Sequence, residues 1–354
     1  MKITNIFIVL LFYSLIISCS TREDKKIVII KEKLKDIASF NELLEQNEII
    51  TLKQPDSLII GGMTSLSKID INHNIYIITI ENEVFKFDKN GNFVRKFSKI
   101  GKSETEYTSI GSIETSPNGS ILINDVFSRK ILEYDSLFNY KRTFYKKPGY
   151  YGGVLFLDDN DLYIYDPISS TSPILHYNYK TENLVNEIGI KNEKIFATNF
   201  FIANSAFDLN ITKDSLYYMF PNQYVLYKAS KSGIVSQINS KPNYFIEANQ
   251  KINVRDENRK YNIINKIFVN DITLFVNTTF ENRQRYLFFD IISKEGEVLK
   301  TKLKYDKGWN LQRTRDKEYF YSIGYDWANT KKGLSNNIPI VVKKFKIKKN
   351  FKNL

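Results

Sequence analysis

Short runs of aromatic and β-branched residues recur along this chain in a fixed order, and no other feature restricts its fold as strongly. Ile75-Tyr76-Ile77-Ile78 leads through Glu83-Val84-Phe85-Lys86-Phe87-Asp88 to the turn Lys89-Asn90-Gly91 and then to Phe93-Val94-Arg95-Lys96-Phe97. Ile121-Leu122-Ile123 leads in the same way through Lys130-Ile131-Leu132-Glu133-Tyr134-Asp135 to Phe138-Asn139-Tyr140 and Lys141-Arg142-Thr143-Phe144. Such residues suit a pleated, half-buried surface, so each run reads as a strand. Asn90-Gly91 predicts a type I′ hairpin, because both central residues of that turn need positive φ.

Four further pairs of runs follow. Leu162 to Tyr165 pairs with Leu175 to Asn178, and Leu216 to Tyr218 with Val225 to Lys228. Leu274 to Val276 pairs with Leu287 to Asp290, and Tyr319 to Tyr321 with Ile340 to Phe345. This makes six units of about four strands at a period of roughly 40–60 residues, the pattern of an all-β, six-bladed β-propeller in which each small sheet buries its faces only between neighbours. Glu48-Ile49-Ile50-Thr51-Leu52 has no hairpin partner before it and is expected to complete the last blade, closing the ring by pairing N- and C-terminal strands. Between Val341 and Lys349, Lys344, Lys346 and Lys348 alternate with Phe345 and Ile347, which reads as a lysine-protected sheet edge. Leu34 to Gln46 carries the best helical spacing, through Leu34, Ile37, Leu43 and Leu44.

The N-terminus has a different character. Lys2 is the only charge before an apolar run from Ile6 to Ile17, too short for the roughly 20 residues that a membrane-crossing helix needs and suited to a signal-peptide core. The run ends in Ile16-Ile17-Ser18-Cys19, which resembles the lipobox of bacterial lipoproteins, and Cys19 is the only cysteine. The expected organisation is a signal peptide over residues 1–18, a lipidated tether over 19–26 with lipid on Cys19, and the propeller over 27–354. Loss of Lys2 lowers the formal net charge from +12 to +11. The chain remains basic, yet export removes nucleic acid as a partner, and the lysines are too dispersed for a polyanion-binding block. With no second cysteine, stability rests on the hydrophobic core.

Taken together, these residues resemble the six-bladed β-propeller lipoproteins of Gram-negative bacteria, which are similar to NHL-repeat proteins. Glu48 to Leu52 followed by Asp56-Ser57-Leu58-Ile59-Ile60-Gly61 looks like that family's first strand and its approach to the first full blade. Phe87-Asp88-Lys89-Asn90-Gly91-Asn92-Phe93 resembles its aromatic-Asp-turn-Gly-aromatic hairpin. Gly101, Glu106 and Tyr107 match its Gly-x-Gly-Pro-Gly-Glu-Tyr loop, in which the other glycines and the proline are replaced here. The resemblance implies a fold and an outer-membrane lipoprotein facing the periplasm or the exterior. Fold alone does not set function.

The catalytic inventory is short. His73 lies in the turn-like Asn72-His73-Asn74 and His176 in a strand beside Tyr177, too few for a zinc site of three or four ligands. Asp158-Asp159-Asn160-Asp161 is oxygen-rich but lacks the spacing of a calcium loop, and reads as a polar hairpin. No Gly-x-Ser-x-Gly elbow or phosphate-cradling glycine loop is present. No metal or cofactor is assigned.

The best recognition surface in the sequence runs from Trp309 to Trp327 with Arg313, Arg315, Tyr325 and Asp326, where aromatic faces can stack and charged groups orient a ligand. Tyr107 joins this candidate set, and the polar stretch Asn243 to Asn265 is a second surface. The expected function is a non-catalytic envelope lipoprotein that binds a carbohydrate, peptide or partner protein. The alternative is a hydrolase or lyase acting on an extracellular polymer through acidic and tyrosine side chains at the axial opening. The sequence sets no oligomeric state.

Overall fold

A computed structural model of the chain describes residues 31–64, 66–116, 118–147, 154–158, 160–166, 172–190, 209–211, 215–220, 223–247, 263–269, 272–281, 284–293, 295–305, 311–313, 319–326 and 338–348. Strand β1 (Leu44–Thr51) comes first, followed by blade 1, which holds β2 (Lys68–Ile69), β3 (Ile75–Ile78), β4 (Val84–Phe87) and β5 (Phe93–Phe97). Blade 2 holds β6 (Ile110–Thr115), β7 (Ile121–Asp125), β8 (Lys130–Tyr134) and β9 (Tyr140–Tyr145). Blade 3 holds β10 (Val154–Asp158), β11 (Asp161–Tyr165), β12 (Ile174–Asn178) and β13 (Leu184–Ile188). Blade 4 holds β14 (Leu209–Ile211), β15 (Leu216–Met219), β16 (Val225–Ala229) and β17 (Val235–Asn239). Blade 5 holds β18 (Ile263–Val269), β19 (Ile272–Glu281), β20 (Gln284–Ser293) and β21 (Val298–Lys304), and β22 (Leu311–Arg313), β23 (Phe320–Tyr325) and β24 (Ile340–Ile347) follow.

Five blades are simple four-stranded meanders, and the sixth has the order β1-β24-β23-β22. The expected six-bladed ring is therefore present, closed by antiparallel pairing from Leu44 opposite Ile347 to Thr51 opposite Val341. First strands of neighbouring blades touch, β6 with β10, β10 with β14 and β14 with β18, so these strands line the axis. Among the described residues no helix is long and apolar enough to cross a membrane.

Period-two alternation explains why the second strands read as unbroken apolar runs. In β3 every residue is buried, but successive side chains enter different seams. Ile75 and Ile77 pack towards Tyr321, Ile323 and Val342 of blade 6. Tyr76 and Ile78 pack towards Ile110, Ile121 and Tyr134 of blade 2. The same division recurs around the ring, giving one apolar cluster at each of six seams. Each large side chain fully buried in a seam contributes roughly 1.5–3 kcal/mol, and no blade obtains that contribution without its neighbour.

Two sequence expectations change. The Leu34 to Gln46 helix reduces to a single 3-10 turn, Phe40–Leu43, capped by Ser39 and Glu42, because Leu44 already belongs to β1. The apolar residues still bury: Leu34, Phe40, Leu43 and Leu44 join the seam between blades 5 and 6. The segment before β1 follows β21, with Lys31 paired to Glu297, the Lys300 ammonium donating to the Lys35 carbonyl at 2.7 Å, and the Ser39 hydroxyl donating to the Lys304 carbonyl at 3.0 Å. The lysines of β24 do not protect an edge, since that strand is paired on both sides, by β1 and β23. Strand β1 is the edge, and all of its residues except Leu44 and Ile50 are exposed.

Candidate functional site

The hairpins of the first blades are built around one repeated clasp. The Asp88 carboxylate accepts the backbone N–H of Asn90 and of Asn92, both at 2.9 Å, and the Asn92 side-chain amide, also at 2.9 Å. Asp135 makes the corresponding bonds to Leu137 and Asn139, and Asp70 bonds the backbone and side chain of Asn74 at 2.8 Å. In each loop the residue before the asparagine adopts positive φ: 63° at His73, 79° at Gly91 and 61° at Phe138. The loop after β4 is thus not the expected type I′ turn. Asp88 accepts from the Gly91 N–H at 3.0 Å and Asn90 is not among the positive-φ residues, which is a type I turn followed by a left-handed residue. Burial would raise the Asp88 carboxyl, but the bonds from Asn92 and Asn90 outweigh it and hold the group below its ordinary range.

These clasps fix two loops of blade 1 at one end of the seam with blade 6. They present His73, Lys89 and Asn90, and the facing wall comes from Glu48 and Ile50 of β1, Tyr321 of β23 and Lys344 of β24. The cleft between them measures about 220 Å³, with Ile50 and Ile75 as apolar lining. His73 Nδ1 lies 2.9 Å from the Tyr321 hydroxyl, joining the two blades. The Lys344 ammonium sits 4.1 Å from the ring centre of Tyr319 and 5.8 Å from that of Tyr321, while Lys346 lies 4.4 Å from the Tyr319 ring. The carboxylate partner of Lys344 is Glu48, at a loose 3.8 Å, and only 15% of the Lys344 side chain is exposed. The cleft therefore gathers cationic and neutral donors around one carboxylate.

The remaining sequence candidates do not converge here. Tyr325 and Asp326 are half-buried at the far end of β23. The Tyr325 hydroxyl donates to the Gly61 carbonyl at 3.2 Å and accepts from the Met63 N–H at 2.9 Å, and the Asp326 N–H donates to the Pro339 carbonyl at 2.8 Å. Arg313 pairs with Phe320 in the sheet, at the opposite end of blade 6 from Tyr325. Trp309, Arg315 and Trp327 lie outside the described residues, as does Cys19 with the signal and most of the tether, and so does most of the Asn243 to Asn265 stretch.

Tyr107 is a correction: it is completely buried. Its hydroxyl donates to the Asn82 carbonyl at 2.9 Å, and burial pushes its pKa up to about 12. It pins the loop between blades 1 and 2, leaving no surface for a ligand. The same loop explains the conjunction of Gly101 and Glu106, because a Cβ at Gly101 would lie 2.0 Å from the Glu106 carboxylate.

His176 is a buried connector between strands and blades. Its ring nitrogens lie 2.9 Å from Asn186 Oδ1 and 2.9 Å from Asp161 Oδ1, and its ring stacks on Tyr163 at 4.6 Å. Asp161 opens β11 directly after the hairpin that follows Asp158, as expected of a polar turn. At the axis, Lys68 of β2 pairs with Glu114 of β6 at 2.7 Å, and the Gln312 side chain of β22 accepts from the Ile69 N–H at 3.1 Å and donates to the Ser67 carbonyl. Among the described residues, no three His, Cys, Asp or Glu side chains stand close enough to hold a metal.

A family model, DUF5128, described as a 6-bladed β-propeller, matches residues 17–321. A Bacteroides vulgatus protein of the DUF4221 family superposes with a TM-score of 0.60 at 13% identity, covering 86% of this chain and 98% of its own. An exported protein from Bacteroides fragilis superposes with a TM-score of 0.59 at 14% identity, covering 88% of this chain and 97% of its own. Both likenesses concern the fold. No curated protein sequence matches.

Proposed function

The chain belongs to the DUF5128 family of 6-bladed β-propellers, and on that basis we propose that it is an envelope lipoprotein that binds a ligand in the cleft between blades 6 and 1 without transforming it. Residues 1–18 act as its signal peptide, lipid on Cys19 anchors it, residues 19–26 form the tether and residues 27–354 the propeller, at the outer membrane. The Ile16-Ile17-Ser18-Cys19 pattern supports this location, and the described fold matches that of an exported protein. The carrying observation is the convergence of His73, Lys89, Glu48, Tyr321 and Lys344, drawn from five separate elements, on one small concavity. Preformed donors around an apolar floor are the usual composition of a recognition site.

The test is a screen of the purified full chain against envelope and dietary glycans and peptides, with product analysis after prolonged incubation. Saturable binding without products, weakened by Lys344→Gln, is expected. Release of products would replace the binding reading with a hydrolase or lyase. Binding that ignores Lys344→Gln but is lost in Trp309→Ala or Trp327→Ala would move the site to the sequence-predicted surface. A separate test of the anchor is metabolic labelling with a fatty acid, which Cys19→Ser should abolish.

A further inference from the structure

We infer that the seam cleft recognises a tetrahedral oxyanion, a phosphoryl or sulfuryl group carried by the ligand; this rests on the proposed binding function and names its chemistry. Lys89 stands exposed at the tip of a clasped hairpin and has no ion-pair partner among the described residues. Lys344 is mostly withdrawn from water against two tyrosine rings, with Glu48 only loosely opposite at 3.8 Å. An ammonium in such a position gains from an anion that can approach it fully, because burial of an incompletely paired charge is costly.

The geometry of the donors selects the anion's shape. A planar carboxylate is best met by the two-pronged guanidinium of arginine, whereas lysine acts as a point charge. No arginine lines the cleft. Two ammoniums, the His73 imidazole and the Asn90 amide approach from different elements instead, an arrangement suited to oxygens that point in several directions. The Asp70 and Asp88 clasps hold two of these donors in place before any ligand arrives, which lowers the ordering cost of binding. Glu48, 47% exposed on the edge strand, is the internal competitor for Lys344.

The experiment measures binding of inorganic phosphate, inorganic sulfate, glucose 6-phosphate, glucose 6-sulfate, glucose and acetate to the purified full chain by calorimetry. Histidine side-chain NMR of His73 locates the site. The tetrahedral anions should bind and perturb His73, acetate more weakly, and glucose not at all. Tighter binding of the sugar esters than of the inorganic ions would identify a phosphorylated or sulfated sugar as the source, and equal binding a free oxyanion. Lys89→Gln and Lys344→Gln should each weaken binding about tenfold, the worth of one charge-assisted hydrogen bond, while Lys180→Gln on blade 3 leaves it unchanged.

Glu48→Gln should strengthen binding, a gain that a purely structural Glu48 would not give. Neutral saccharide binding that perturbs His73 and ignores both lysine variants overturns the oxyanion and leaves the binding function standing. Anion binding without any His73 perturbation, or unaffected by Lys89→Gln, also overturns it. Binding of none of these probes, in a chain that does bind a glycan or peptide elsewhere, overturns the cleft assignment.

Discussion

The Tyr321 hydroxyl lies 2.9 Å from Nδ1 of His73, linking the second strand of the last blade to the first hairpin of blade 1. This bond bridges the seam across which the ring closes, beside the apolar cluster of Ile50, Ile75 and Val342. Tyr321→Phe keeps the packing and removes the bond, so it should cost ~1 kcal/mol in urea unfolding. Because both residues line the cleft, the same variant should weaken ligand-induced stabilisation.

Phe40 anchors the N-terminal segment. It is 1% exposed and stacks on Phe289 of blade 5 with ring centres 3.8 Å apart, while touching Phe320 of blade 6 edge-on at 6.1 Å. Phe40→Ala should cost about 3–5 kcal/mol by opening a cavity between blades 5 and 6. Chemical unfolding followed by tryptophan fluorescence measures it.

Gly91 and Gly233 form a matched pair. Both have positive φ, 79° and 100°, but a Cβ at Gly91 would meet the Thr51 carbonyl at 2.6 Å, whereas at Gly233 nothing lies within 4 Å. Gly233→Ala should therefore cost only the backbone strain, ~1 kcal/mol. Gly91→Ala should cost more, ~2–3 kcal/mol, because β1 must also shift. Equal losses would refute the contact between the first hairpin and the closing strand.

Glu133 tests inter-blade electrostatics. Its side chain is 1% exposed and pairs with Lys141 at 2.6 Å and Arg142 at 2.7 Å, and Arg142 also reaches Glu182 of blade 3 at 3.1 Å. Burial raises the Glu133 pKa, but bonds from Lys141 and Arg142 prevail and lower it overall. The stability it supplies is thus present above the ordinary glutamate range and is lost as pH falls through the depressed value. Glu133→Gln should cost roughly 2–3 kcal/mol at neutral pH, the lower part of the range for breaking a buried pair because Lys141 is half exposed. It should flatten acid unfolding in that window.

Lys146 acts in the opposite pH range. Burial depresses its ammonium to about 8, against the opposing pull of Asp166 and Asp125, and it donates to Asn124 at 3.0 Å. Between the folded value and the ordinary lysine value the unfolded chain binds more protons. Stability should then rise with pH, by at most ~1.4 kcal/mol per unit. Unfolding at pH 7 and at pH 9.5 should show the wild type gaining on Lys146→Met; parallel curves would refute the depressed ammonium.

The ring was legible in the sequence because each blade repeats local information: a hairpin, an alternating strand, another hairpin. Alternation in Ile75-Tyr76-Ile77-Ile78 could even be divided between two seams once a ring was assumed. Long-range partners carry no such local trace. Nothing around His73 points to Tyr321, and the lysines of β24 suggest an edge until β1 is seen to cover them. Tyr107 looked like a loop aromatic available to ligand because spacing gives no account of depth. At Asn90-Gly91 the dipeptide suggested one turn, but the Asp88 carboxylate, by bonding both Asn90 and Asn92, selects another. His73 was correctly placed in a turn, while its place in a cleft required the opposing blade.

Pairing β1 with β24 also has a temporal meaning. The first strand to leave the ribosome has as its partner the last strand to be made, so the ring cannot finish while synthesis continues. A chain that passes through a secretion channel from its N-terminus would wait on the far side with blades stacked in an open arc and β1 unsatisfied. Loop closure over so long a stretch is entropically slow, and during that interval the exposed strand offers itself to any neighbouring chain. A stop codon anywhere before β24 would make this vulnerable interval permanent, leaving even an otherwise well-packed fragment as a substrate for envelope proteases.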